Sequence, residues 1–102
     1  MKSFYVYILE CSDGSFYTGV TSNLEMRLEQ HYLGGNKKSY TYSRRPFILS
    51  YVMEFNSATD AILAEKQIKG WSRKKKIALI NGDVELLKRL SIPYSRAKRM
   101  QK

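Results

Sequence analysis

The chain opens on FYVYILECSDGSFYTGV, a stretch that leaves little choice of local fold. Phe4 to Glu10 and Ser15 to Val20 are dense in β-branched and aromatic residues, which suit a pleated, half-buried surface. Ser12-Asp13-Gly14 between them is hairpin chemistry, because glycine takes a positive φ without steric cost. A three-residue loop with Gly14 left-handed sets Tyr7 opposite Gly19 and Tyr17 opposite Leu9, with both tyrosines on one face of the sheet. A two-residue loop sets them on opposite faces, so the turn decides whether the two phenols can act together.

Ser22 or Asn23 then caps a helix over Leu24 to Leu33. At about 100° per residue Arg27 and His31 share one stripe, and Leu24 and Leu28 lie within roughly 60° of it. Both polar side chains therefore fall at the edge of the face that packs on the sheet. Spacing favours Arg27 snorkelling to a carboxylate and His31 being a boundary histidine, and does not by itself decide against a shared site.

Gly34 to Pro46 reads as a surface loop, with glycines at its start and a proline at its end. Lys37, Lys38, Arg44 and Arg45 can meet phosphates there, and Tyr40 and Tyr42 can stack on bases; a merely solvated loop is the plainer reading. Phe47 to Phe55 (FILSYVMEF) is a third strand, apolar enough to be expected at the centre of the sheet under helices. Ser57 caps the next helix, which runs to about Trp71 with Ala58, Ala61, Ile62 and Ile68 as its inward stripe.

Glu65 falls in the middle of that stripe. An unpaired carboxylate there would cost several kcal/mol or take up a proton, so it needs a cation. Arg27 or Lys69 can supply one, and so can a divalent metal. Gly70-Trp71-Ser72 then breaks the helix before Arg73, Lys74, Lys75 and Lys76, which lead into a short helical run, Ile77 to Ile80. Such a lysine run is commonly a solvated helix face; beside a site it also holds phosphates. Asn81-Gly82 ends the run, and Asp83 caps a last helix to about Leu90.

The pattern is an α/β chain of the α+β kind: β-β-α-β-α-α, a three-stranded mixed or antiparallel sheet flanked by helices. At 102 residues one domain is expected over 1–91, with 92–102 a loose basic tail. The apolar runs fall short of the roughly 18 residues a membrane span needs, and Lys2 leads into a strand pattern, not a signal peptide. A soluble, cytoplasmic protein with no membrane partner is expected. Cys11 is alone, which excludes a disulfide framework and a thiolate cluster; it reads as a packed cysteine. The net charge is +9, with six Lys/Arg against four Asp/Glu in residues 1–50 and twelve against five thereafter. That asymmetry points to a polyanion, nucleic acid before membrane. There is no Gly-rich phosphate loop, and no small-molecule cofactor is expected.

Two tyrosines ten residues apart, the second inside Tyr17-Thr18-Gly19, followed by a helical arginine and a histidine four later, resemble the N-terminal half of the GIY-YIG nuclease domain. Tyr5-Val6-Tyr7 stands where Gly-Ile-Tyr would be, and Tyr17-Thr18-Gly19 where Tyr-Ile-Gly would be. The resemblance spans residues 4 to about 82. It is strongest to the small stand-alone members related to the nuclease domain of UvrC-type excision subunits. It implies a metal-dependent endonuclease acting on DNA, in repair or structure-directed cleavage. In the implied site Tyr7 is the water-activating base helped by His31, Tyr17 hydrogen-bonds the attacking water or the phosphate, Arg27 pairs with the scissile phosphate, and Glu65 binds the metal. Asn81 is the candidate for the asparagine that family members often add. Repair-enzyme relatives place a lysine where this chain has Thr21 and Ser22. Hard oxygen ligation by one carboxylate suits Mg²⁺ or Mn²⁺ with water in the remaining positions. The alternative is a nucleic-acid-binding module with a nuclease-like fold and little or no activity.

Overall fold

The computed structural model describes residues 2–34 and 42–91, which fall into two compact units divided after Gly70. The first carries β1 (Phe4–Cys11), β2 (Phe16–Thr21), α1 (Leu24–Leu33), a 3₁₀ turn (Tyr42–Arg44), β3 (Phe47–Phe55) and α2 (Ala58–Lys69). The second carries α3 (Arg73–Asn81) and α4 (Val84–Ser91), which pack on each other. Lys37, Lys38, Tyr40 and the tail 92–102 lie outside the described residues, as does the side chain of Tyr42.

The hairpin closes through the three-residue loop. Gly14 N–H donates to the Cys11 carbonyl at 2.9 Å, Cys11 N–H donates to that of Ser15 at 2.8 Å, and Gly14 sits at φ 83°. Tyr7 consequently pairs with Gly19 and Leu9 with Tyr17, so the two tyrosines share a face. The tip is fastened as well. Asp13 Oδ1 accepts from the Ser15 hydroxyl at 2.6 Å and amide at 3.0 Å, and Oδ2 accepts from Arg44 Nε at 3.1 Å. The Ser15 hydroxyl foremost, then its amide, holds the Asp13 carboxyl below the usual carboxylate range.

The three strands are antiparallel in the order β2-β1-β3, so the expected place of β3 is corrected: β1 is central and β3 lies at an edge. Val6, Tyr7, Ile8 and Leu9 are all fully buried, covering both faces of β1. On β3, Ile48 is 66% exposed and Val52 and Met53 each 44%. The β1 run, already zipped to β2 by its short turn, offers its other side to β3, so β3 carries more apolar surface than its position needs.

The helix caps follow local chemistry. Asn23, Ser57, Ser72 and Asp83 each accept from an amide three residues on, as N-caps do. Gly34 and Gly82 end α1 and α3 in the left-handed conformation. α2 lies against all three strands, chiefly β1 and β2. Its inward stripe is narrower than expected: Ala61 and Ile68 are buried and Ala64 and Glu65 half-buried, while Ala58 is exposed and Ile62 43% exposed. A helix lying on a sheet buries the line i, i+3/i+4, i+7, and Ala58 and Ile62 stand to one side of the line through Ala61 and Ile68.

Candidate active site

On the Tyr7 face, Tyr7, Leu9, Cys11 and Phe47 form a buried cluster, with Tyr17, Leu24, Leu28 and Leu49 packed against it. Cys11 is thus a packed side chain. Leu24 and Leu28 seat α1 on the cluster, and the next turn delivers His31. Tyr7 Oη and His31 Nε2 are 2.9 Å apart in a buried hydrogen bond. The His31 ring meets Tyr17 edge-on at a centroid distance of 5.2 Å and Phe47 at 5.7 Å, and Phe47 is stacked in turn on Tyr32 at 4.7 Å. The imidazole is therefore held by aromatic edges on two sides and by a phenol on its nitrogen.

Gly19 is what lets Tyr7 lie where it does. A Cβ at position 19 would stand 2.5 Å from both Cζ and Oη of Tyr7, closer than real Cβ atoms approach anything. The phenol thus rests directly on the β2 backbone. Nothing in residue spacing announces this; only the register, with Tyr7 opposite Gly19, makes the need for a hydrogen side chain visible.

Burial sets the protonation states. It pushes the Tyr7 phenol above its ordinary value, with the nearby Arg27 guanidinium acting in the opposite direction. The Tyr7 phenol foremost, then Tyr17, raises Arg27 further, so its cation is permanent; its guanidinium donates to Gln30 Oε1 at 3.4 Å. Burial first, and the Arg27 charge second, lower the pKa of His31. His31 is then a neutral acceptor at pH 7, and the Nδ1–H tautomer lets Nε2 take the Tyr7 hydroxyl proton in a hydrogen bond.

This has a measurable consequence. With the native pKa below the unfolded value of about 6.5, the unfolded chain binds more protons in between, so stability is full above about pH 6.5 and declines as pH falls towards the native pKa. His31 is the one histidine of the chain, so its imidazole resonances are unambiguous in an NMR titration. The expected midpoint is below 6.5; one at or above that value would contradict a buried, cation-flanked ring.

The remaining sequence candidates are distributed as follows. Glu65 is turned inward, its side chain 12% exposed, with Oε2 3.0 Å from Lys69 Nζ, so of Arg27 and Lys69 it is Lys69 that pairs with it. Arg44 bonds Asp13 and Arg45 Nη1 donates to the Tyr32 carbonyl at 3.2 Å, so both take part in fastening the segment before β3. Arg73, Lys74, Lys75 and Lys76 form the first turn of α3, with Lys75 Nζ 4.1 Å from the Trp71 ring centroid. Asn81 is the exposed last residue of α3, next to its Gly82 cap. Thr21, in the position where repair-enzyme relatives carry lysine, uses its hydroxyl to lead into α1, accepting from Asn23 N–H at 3.1 Å.

Residues 3–78 match the family described as GIY-YIG catalytic domain. A UPF0213 protein of Staphylococcus haemolyticus is 44% identical over 80 residues, covering 78% of this chain and 96% of that one. One from Syntrophus aciditrophicus is 45% identical over 85 residues, covering 83% and 98%. Among solved structures, the solution NMR structure of a UPF0213 protein from Bacillus halodurans aligns with a TM-score of 0.52 at 42% identity, over 78% of this chain and 83% of that one. The NMR structure of an E. faecalis protein gives 0.58 at 38% identity, over 80% and 86%. No helix among the described residues is long and apolar enough to cross a membrane.

Proposed function

From the premise that the chain belongs to the GIY-YIG catalytic domain family, we propose that it is a divalent-metal-dependent endonuclease that hydrolyses phosphodiester bonds in DNA. The observation that carries this reading is the buried Tyr7–His31 hydrogen bond laid over Gly19, with Tyr17 and Arg27 beside it. A phenol whose pKa is raised is a poor base by itself. Bonded to a neutral imidazole it becomes a relay: Tyr7 Oη takes a proton from the attacking water as its own proton passes to His31 Nε2. Arg27 offers a fixed positive charge to the phosphate as negative charge builds on it, and Tyr17 orients the water or a phosphate oxygen.

Glu65 is the residue that would hold a metal. Its single inward carboxylate, 12% exposed, suits a cation that keeps most of its water, the habit of Mg²⁺. Bound there, it supplies further charge stabilisation to the phosphate. The Lys69 ion pair favours a second reading, in which Glu65 is structural and the domain only binds nucleic acid.

A nicking assay on plasmid and branched DNA with Mg²⁺ or Mn²⁺ separates the two. Glu65→Gln keeps an acceptor for Lys69 and removes the charge. Its expected effect is a loss of cutting of roughly 100-fold or more, the scale of one lost electrostatic contact to a transition state, with DNA binding retained. Equal cutting by variant and wild type discards the metal role, and no cutting by either on any substrate supports the binding module.

A further inference from the structure

A pocket of about 500 Å³ opens beside the Tyr7 cluster, lined by Tyr5, Ser22, Asn23, Leu24, Glu25 and Leu28. Its size is within the roughly 300–1,000 Å³ of pockets that take small ligands. Tyr5 precedes Tyr7 by two residues on β1 and so lies on the same face of the sheet. Leu24 and Leu28 are the side chains that seat α1 on the Tyr7 cluster. The pocket and the candidate site therefore share a wall.

The lining is the wrong kind for a phosphate. In a chain of net charge +9, none of the six residues is basic and one is a carboxylate. Glu25 is exposed, and its carboxylate has no polar partner among the described residues. Asn23 Oδ1 is already committed to the Met26 amide. What remains is a phenol ring and two leucines as walls, the Ser22 hydroxyl, and at the rim the Glu25 carboxylate as the one charged acceptor. A flat, uncharged ring carrying N–H donors meets all of these needs, and in a nucleic acid that is a base with an exocyclic amine. Tyrosine faces stack bases irrespective of sequence, whereas a carboxylate accepts from the cytosine amine and repels the O4 carbonyl of thymine.

We propose that this is a base pocket, in which Glu25 reads an amine-bearing base, cytosine over thymine, next to the phosphate addressed by Arg27 and Tyr7. The proposal rests on the nucleic-acid reading above and adds a specificity residue to it.

The test is equilibrium binding without metal ion, by fluorescence anisotropy, of dye-labelled oligo(dC) and oligo(dT) of equal length to the full chain. Wild type is expected to bind oligo(dC) about tenfold more tightly, the scale of one base-edge contact. Glu25→Gln, on the exposed first turn of α1, should bring the ratio below about twofold, because its amide can donate to thymine O4 as well as accept. Equal binding of the two oligonucleotides by wild type, or an unchanged ratio in the variant, overturns the base pocket and leaves the nuclease reading standing. No binding of either, with branched duplex DNA still bound, likewise overturns the base pocket, and no binding of any of the three overturns the nucleic-acid reading itself.

Discussion

Tyr7→Phe is expected to cut phosphodiester hydrolysis by roughly 10²- to 10⁴-fold, the range of a lost general base. The substitution isolates chemistry from packing. A phenylalanine ring keeps the seat over Gly19, the contact with Tyr17 at a centroid distance of 6.3 Å and the fully buried position. Only the hydroxyl goes, and with it its hydrogen bond to His31 Nε2. Loss of one buried hydrogen bond costs about 0.5–1.5 kcal/mol, so a lower melting temperature should accompany the loss of rate. Rates of nicking at saturating metal, set beside thermal melts, check both. If the phenylalanine protein cuts as fast as wild type, Tyr7 carries no proton and the relay through His31 is wrong.

Gly19→Ala should damage the site almost as severely for a different reason. The glycine is not needed for backbone conformation, since the positive-φ glycines are Gly14, Gly34 and Gly82. It is needed because the added methyl would stand 2.5 Å from Cζ and Oη of a ring enclosed on every side. Overpacking of this sort costs about 1–3 kcal/mol. The ring must move, and a reacting group displaced by about 1 Å loses on the order of 100-fold in rate. The double variant Tyr7→Leu/Gly19→Ala separates the two effects. With the clashing ring atoms gone, it should melt at a higher temperature than Gly19→Ala alone and remain inactive. Additive destabilisation in the double variant would mean that position 19 acts on something other than Tyr7.

The elements were written in short-range chemistry, and those parts were legible. Ser12-Asp13-Gly14 sets the loop length, loop length sets the register, and the register puts Tyr7 and Tyr17 on one face. The capping side chains Asn23, Ser57 and Asp83 are equally local. What did not show was set by distant partners. β3 looks more apolar than an edge strand needs to be, and only the pairing of β1 with two neighbours reveals which strand is central. Phe47 closes one side of His31 from sixteen residues away, with no spacing to announce it. Arg44 also holds the hairpin tip through Asp13, a partner 31 residues away that no spacing announces. Ala58 and Ile62 satisfied a helical wheel, but a wheel does not say where along the arc the sheet will touch.

Among the described residues Tyr7 is the largest side chain with no exposed surface, and it is also the proposed reacting group. Many enzymes keep these offices apart, with a scaffold beneath and replaceable loops above, so that drift in one spares the other. Here a single residue holds both. On the proposed mechanism, repacking the interior around this ring and changing turnover are one and the same substitution.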